Sequence, residues 1–368
     1  MIYLDQAATR YPRPAAVRTA VHQALDAPWG NPGRSGHGLA MAANQAVFDA
    51  RVQIADHLQA DPLEIIFTSS CTDALNLLIH GLPRGSRICT TSVEHNSVLR
   101  PLREREARGD ISLSTVSVDA AGRVDLSQPR PDCDAMLLAA ASNVLAGRND
   151  LAALRQWLGA DIRLLLDGAQ LVGELASEQY MPYADAVAAP GHKALGAPPG
   201  TGFVYLHPRL DLRPWRQGGT GSRSESARQP DDRPDGFEAG SQNLWGIIGL
   251  GVAAQICEPD RWRVAEQLAQ DLRDALSTSG QFRVLGAHNG ACAPLVSFVP
   301  VRPTDINEMG AVLWQRHAIA VRTGLHCAPG AHAHAGTLGR GALRASFGPE
   351  HTQADLEALL RALYTEVG

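Results

Sequence analysis

The sequence predicts an α/β fold built on a mainly parallel, doubly wound sheet of seven strands, and three observations predict it. Short β-rich runs alternate with segments of helical pattern as far as residue 206, the order that parallel strands joined by crossover helices require. Several runs are apolar throughout rather than alternating, as expected of strands covered by helices on both faces. At 368 residues the chain also exceeds one ordinary hydrophobic core, so a smaller domain is expected beside the large one.

The elements follow in order. Strands are expected at 64–68, 87–91, 111–118, 135–141, 162–167, 184–189 and 201–206, separated mostly by segments that can be helical. The mixed-charge stretch from Arg100 to Arg108 reads as a solvated helix face. After a polar, Pro-containing stretch at 222–234 and an apolar segment at 246–256, the pattern changes. Val264, Leu268, Leu272 and Leu276 recur every four residues, which marks a helix with one buried stripe. Strands at 282–285 and 295–299, a helix near 305–317, a strand at 319–322 and a last helix complete a smaller α+β unit. Thr352 and Asp355 have capping-box spacing before that last helix. The expected division is a large domain over 15–250 and a small domain formed by 1–14 with 251–368.

Composition excludes several classes. A hydrophobic fraction of 45% can fill two cores, and a formal net charge of -5 argues against a nucleic-acid surface. No apolar run approaches the roughly 18 residues of a membrane span, and the first residues lack a secretory pattern, so a cytoplasmic protein is expected. Six cysteines lie far apart with no Cys-x-x-Cys spacing, which disfavours structural zinc and a disulfide framework alike. His326, His332 and His334 lie close in sequence, but Gly and Ala around them suggest a loop and no carboxylate joins them, so no metal is expected.

The chemistry centres on two residues. Asp167, in Asp167-Gly168-Ala169-Gln170, closes the run at 162–166, and Lys193 follows in Gly191-His192-Lys193-Ala194-Leu195-Gly196. A carboxylate at a strand's end can pair with the protonated ring nitrogen of pyridoxal phosphate and keep the ring an electron sink, while a lysine one strand further on can hold the aldehyde as a Schiff base. Either residue alone is commonplace, so the neighbours matter. Ser69-Ser70-Cys71-Thr72-Asp73 follows a strand and opens a helix, which makes a phosphate seat or an ordinary N-cap. His95 follows the next strand and could stack on a ring or cap a helix; Asn143 could reach a ring substituent or simply make a turn. All four strand ends would face one crevice, where ligands of such sheets collect. Cys327 is either a buried structural thiol or a reactive one. Gly324 before it and Pro329 after it favour a loop, and Arg322 and His326 are candidates to stabilise its thiolate.

Taken together with Tyr3-Leu4-Asp5-Gln6-Ala7-Ala8-Thr9, Gly30-Asn31-Pro32-Gly33-Arg34-Ser35-Gly36-His37, Phe237-Glu238-Ala239-Gly240-Ser241-Gln242-Asn243 and Arg322-Thr323-Gly324-Leu325-His326-Cys327-Ala328-Pro329, these motifs resemble the class V aminotransferase superfamily, specifically cysteine desulfurases of group II (SUF-like) type and the allied selenocysteine lyases. The resemblance covers almost the whole chain. It implies fold type I of the pyridoxal 5'-phosphate enzymes, with Lys193 as the Schiff-base lysine, Asp167 on the pyridine nitrogen, Gln170 near the phenolic oxygen and His95 stacked on the ring. Thr72 and His192 would bind the phosphate, with Ser241 reaching in from a second subunit of a homodimer. Asn143 would lie near substrate and ring, with Arg344 clamping the substrate carboxylate beside Arg322. The implied reaction converts L-cysteine to L-alanine: the lysine amine removes the Cα proton and Cys327 takes the sulfur as a persulfide, for delivery to an acceptor. Alternatives are a selenocysteine lyase or another C–S lyase of the same fold, or an idle sulfur-relay scaffold. The chain departs from the pattern at Pro190, where relatives usually carry Ser or Thr, at Ala140, where many carry His, and at Ser70-Cys71, where many carry Gly-Thr.

Overall fold

A computed structural model describes residues 1–33, 36–286 and 290–367. Arg34 and Ser35 of the Gly30 to His37 motif lie outside the described residues. The elements in chain order are β1 (Ile2–Tyr3), α1 (Ala15–Asp26), α2 (Gly38–Leu58), β2 (Ile65–Thr68), α3 (Cys71–Gly81), β3 (Ser86–Thr91), α4 (Asn96–Ala107), β4 (Ile111–Val116), β5 (Ala135–Ala139), α5 (Leu151–Leu158), β6 (Arg163–Asp167), β7 (Ala186–Pro190), β8 (Gly202–Leu206) and α6 (Leu244–Gln255). They continue with α7 (Trp262–Ser279), β9 (Phe282–Val284), β10 (Leu295–Pro300), α8 (Ile306–His317), β11 (Ile319–Ala320), β12 (Arg322–Gly324), α9 (Pro329–His334), β13 (Ala342–Ser346) and α10 (Gln353–Val367).

Seven strands form the central sheet in the order β2-β8-β7-β6-β5-β3-β4. All neighbours pair in parallel except β8, which runs antiparallel to both β2 and β7. The all-apolar runs behave as their composition demands: β6 from Leu164 and β7 throughout are buried. One hydrophobic cluster, including Leu138, Leu164, Leu166 and Phe203, covers one set of strand side chains; another, including Leu137, Leu165, Ala188 and Val204, covers the alternate set. The alternation of those numbers is the period-two pleat.

The chain after α6 builds a second, antiparallel sheet, β12-β13-β10-β9, while β11 pairs in parallel with β1 at the N-terminus. The single strand expected at 319–322 is therefore two, because Ile319 and Ala320 pair with β1 while Arg322 begins pairing with β13. The α7 stripe is carried by Ala265, Leu268, Ala269, Leu272 and Leu276; Val264, expected on it, is exposed. Arg105 corrects the solvated reading of α4, since it is buried and donates to the carbonyl of Leu82 at 3.1 Å, helping to close the α3 terminus. Thr352 and Asp355 make half of a capping box: Asp355 accepts from the Thr352 N–H and hydroxyl, at 2.8 and 2.9 Å, before α10. His332 and His334 lie on α9 rather than in a loop.

A third cluster joins the second sheet, α7 and α10 to Val93, Val144 and Ala194, residues just beyond β3, β5 and β7. The carboxyl edge of the large sheet is thus capped by the small one. Leu250 and Ala253 of α6 lie in one cluster, so this helix crosses residue 250 as a single body.

Candidate active site

Asp167 ends β6, in register with Ala139 of β5 and Ala188 of β7. Gly168 then lets the chain turn hard against β7, where an added Cβ would lie 2.9 Å from Val187 Cγ1 and 3.0 Å from the Ala188 carbonyl. Gly191 does the same for the next strand: its Cβ would meet Thr201 Oγ1 at 2.3 Å. These two glycines bring a carboxylate and an amine to one point. Asp167 Oδ1 accepts from the Ala169 N–H at 3.0 Å and from the Cys71 thiol at 3.5 Å. Burial pulls the Lys193 amine down from its ordinary value and outweighs the opposing pull of Asp167. Among the described residues, the Lys193 side chain makes no hydrogen bond.

The two helices that start beside this pair present their N-termini. Ser70 caps α3 by accepting from the Asp73 N–H at 3.1 Å, so the bland and the functional readings of this segment divide between neighbours: Ser70 closes the helix, while Thr72 lines the cavity. His95 caps α4, its Nδ1 accepting from the Ser97 N–H at 3.1 Å. That bond leaves the proton on Nε2 of the neutral ring, and burial lowers the ring's affinity for a second one. Thr72 Oγ1 and Ser97 Oγ lie 2.8 Å apart. Burial and the neighbouring Lys193 hold His192 down to about 4.

The opposite wall comes from the second sheet. Arg344 on β13 faces Arg322 on β12 in direct register, an unfavourable cation pair that Asp5 offsets from the N-terminal segment. Asp5 meets Arg344 at 3.0 Å and Arg322 at 3.6 Å. Arg344 is buried, donates to the Asn143 carbonyl at 3.1 Å and, among the described residues, keeps Nε without a partner. Asn143 Nδ2 donates to the His326 carbonyl at 2.8 Å, and Gln170 Nε2 donates to the Ala7 carbonyl at 3.0 Å, each leaving a second amide N–H free for a ligand. Cys327 is exposed. His326 is held neutral, pushed down to about 2 by burial and then by Arg344, so it supplies no positive charge to the neighbouring thiol, and the expectation that it would is corrected.

One cavity of about 230 Å³ gathers these walls. It is lined by Thr72, His95, Asn143, Asp167, Gln170, His192, Lys193, Arg322, Cys327 and Arg344, that is, every site residue expected from the sequence except Ser241. Ser241 lines a separate cavity of about 650 Å³ with Asn31, Phe48 and Arg51. The rest of its motif is structural: Glu238 binds Arg51 at 2.7 and 2.8 Å and the Phe67 N–H at 2.7 Å, and Asn243 caps α6. Three residues that touch the site were not expected there: Ser97, Cys71 and Asp5. The last two lie inside motifs already singled out, but nothing in a linear pattern says which motif residue turns inward. Pro190 lines the cavity where a hydroxyl was looked for. The described residues contain no group of three or more His, Cys, Asp or Glu side chains able to hold a metal, and no described helix is long and apolar enough to cross a membrane.

The donor set fits pyridoxal phosphate. A buried carboxylate, an amine without a partner, a neutral imidazole and a helix N-terminus with hydroxyls are the partners that a pyridinium nitrogen, an aldehyde, an aromatic face and a phosphate require.

Fold and site together define an α/β enzyme whose chemistry is organised around a buried lysine at the carboxyl edge of a parallel sheet. The sequence profile described as Aminotransferase class-V matches residues 2–359, and the chain belongs to that family. It is similar to a probable cysteine desulfurase of Pseudomonas putida, 32% identical with 98% of this chain and 92% of that protein covered. It is likewise similar to a probable cysteine desulfurase of Methanothermobacter thermautotrophicus, at 28% identity over 97% and 92%. Among solved structures, the apo cysteine desulfurase of Thermococcus onnurineus matches with a TM-score of 0.91 at 27% identity, covering all of this chain and 94% of that one.

Proposed function

We propose that this protein is a pyridoxal phosphate-dependent cysteine desulfurase of group II type, which converts L-cysteine to L-alanine and receives the sulfur on Cys327. The single observation that carries the reading is the convergence on one cavity of Lys193 and Asp167 with Arg344 and the exposed Cys327. The similarity to cysteine desulfurases over nearly the full chain supports it.

Bound at Lys193, the cofactor supplies an electron sink for the Cα–H bond of the amino acid. Asp167 would hold its ring nitrogen, His95 its face, Gln170 its phenolic oxygen, and Thr72 and His192 its phosphate. Arg344 binds the substrate carboxylate through the guanidinium N–H groups that Asp5 and the Asn143 carbonyl leave over, while Asn143 orients the amino acid from the other side. Burial lowers the proton affinity of the Lys193 amine, which favours the neutral form that a base for the Cα proton requires. The Cys327 thiolate attacks the substrate sulfur, so that the S–S bond of a persulfide forms as the substrate's Cβ–S bond breaks. The electron pair of that bond stays on the carbon fragment, which takes up protons and leaves as alanine, and the outer sulfur passes to an acceptor thiol.

Ser241 enters the scheme through a second copy of the chain. Support comes from its place beside the exposed Phe48 in the larger cavity, with Leu39, Met41 and Trp245 also exposed on α2 and α6. We propose a cytoplasmic homodimer, with a large domain from residue 15 through the end of α6, whose Ala253 and Ala254 still pack in the large core, and a small one formed by 1–14 and the chain after α6 that carries the cysteine loop.

The test is to incubate the protein with cysteine, selenocysteine and cystine separately, following alanine, sulfide or selenide, and the mass of the Cys327 peptide. Cysteine turnover with a gain of one sulfur on Cys327, both abolished in Cys327→Ala while the visible cofactor band persists, is the expected result. Undiminished cysteine turnover by Cys327→Ala would sink the assignment of the sulfur to that residue.

A further inference from the structure

The loop that carries Cys327 is held in an uncommon conformation by three tethers. His326 and Cys327 are consecutive non-glycine residues with φ of 50° and 56°, a backbone state that persists only where its surroundings over-determine it. Asn143 Nδ2 donates to the His326 carbonyl at 2.8 Å, and the Asn96 N–H at the start of α4 donates to the Cys327 carbonyl at 2.8 Å. The third tether lies behind the cavity. His326 Nδ1 meets His332 Nε2 at 3.1 Å, and His332 Nδ1 meets Thr337 Oγ1 at 2.8 Å.

The rings of His326 and His332 stack with centroids 5.2 Å apart and planes 24° apart. All three side chains are buried. Burial keeps both rings neutral, lowering His332 to about 4 as it lowers His326. In a chain of neutral rings each carries one proton, and which nitrogen holds it is fixed by the neighbour. His326 Nε2 is buried without a hydrogen bond of normal geometry among the described residues; the Arg322 backbone also acts on the ring, and His332 is the one side chain among them that it meets. His332 itself is absent from the cavity lining.

We propose that His332, held by Thr337, is a positioning residue for sulfur transfer: it fixes the orientation and tautomer of the His326 ring and, through it, the left-handed turn that presents Cys327 to the cavity. The proposal rests on the reading that Cys327 takes the sulfur. It separates two tasks, because Arg344, which takes the substrate carboxylate, bonds to Asp5 and the Asn143 carbonyl and not to His332 or Thr337. Loss of the tether should therefore lower turnover and leave substrate capture alone.

The experiment compares His332→Gln, which keeps an amide nitrogen near the Nε2 position, with His332→Leu, which keeps none, in the full cofactor-loaded protein. His332→Leu should lower kcat for alanine formation about ten-fold or more, with KM for cysteine within about three-fold and an unaltered visible spectrum; His332→Gln should recover most of the loss. A second readout needs no cofactor: the rate at which iodoacetamide alkylates Cys327 in the cofactor-free chain should change in His332→Leu and return in His332→Gln. Thr337→Val, which alters only the far end, should give a smaller loss of the same kind and carries the test if His332→Leu fails to fold. A kcat and alkylation rate within two-fold of the parent in these variants, or a loss that glutamine does not rescue, overturns the proposal. Undiminished turnover by Cys327→Ala overturns the sulfur-acceptor reading instead, and the alkylation comparison then judges the tether alone.

Discussion

The cavity wall that carries Asp167 and Lys193 and the wall that carries Cys327 are built on different principles. The first is made of a strand end, helix caps and the turn after β7, so Asp167 inherits its position from the sheet and Lys193 from a turn closed by backbone bonds from Gly196 to Lys193 and from Ala197 to Gly191, each 2.8 Å. The second is a short segment in left-handed backbone, held by tethers from Asn96, Asn143 and His332. Regular structure holds the groups that must not move. The thiol, which on the proposed reading meets a substrate on one side and an acceptor on the other, stands on an exposed turn whose geometry depends on side chains.

The sharpest way to break this comparison is to empty the rigid wall. Lys193→Ala should abolish the visible cofactor band and reduce alanine formation by roughly a thousand-fold or more, as loss of a base and covalent anchor does. Asp167→Asn should fall next, by about a hundred-fold in kcat, with the cofactor spectrum shifted because the ring nitrogen loses its counter-charge. Circular dichroism should stay near that of the parent in both, since neither group holds the sheet together.

On the other wall Arg344→Lys keeps the charge but loses the fork. It should cost about 2 kcal/mol in kcat/KM for cysteine, chiefly as a higher KM, measured by steady-state assay. A fall in kcat alone, with KM unchanged, would place this residue in the chemistry rather than in substrate capture.

The pH dependence of stability probes the tethers. His326 and His332 bind a proton less readily folded than unfolded, so the unfolded state holds more protons between about pH 4 and 6.5 and stability rises with pH in that window. Acidification from pH 6.5 should cost about 1.4 kcal/mol per pH unit for each ring, read by urea denaturation. His332→Gln should flatten the slope by one ring's share. Glu94 works in the opposite direction, because burial raises it to about 7 and its contribution is lost as pH rises through that value. The smallest effect is expected from Ser241→Ala. It should weaken cofactor retention a few-fold in dilution assays, consistent with one hydroxyl on a phosphate.

Much of the first wall was legible in the sequence. The run at 162–166 could only be a buried strand, and a polar residue ending such a strand at the carboxyl edge of a parallel sheet is brought to a ligand by topology alone. Strand ends were less legible: β4 stops at Val116 and β5 at Ala139, short of the β-rich runs that suggested them, because beyond those points Val118 and Ala141 leave the sheet ladder and bridge Val124 and Arg148 instead. Val264 and Arg105 show the same limit, since burial depends on what packs against a face and not on its period. The closeness of His326, His332 and His334 in sequence said nothing of their partners: two of the three pair with each other inside the protein, while His334 is exposed and meets the Asp119 carbonyl.

What the sequence by itself determined is the doubly wound sheet and the motifs along it, because each follows from local period or residue type. Tertiary structure alone decided that Asp5, distant in sequence, sits between Arg322 and Arg344, that the His326 ring is neutral, and that Cys327 is held through His332. Those outcomes depend on burial and on hydrogen bonds between separate segments, and such energies exist only after the chain has closed on itself.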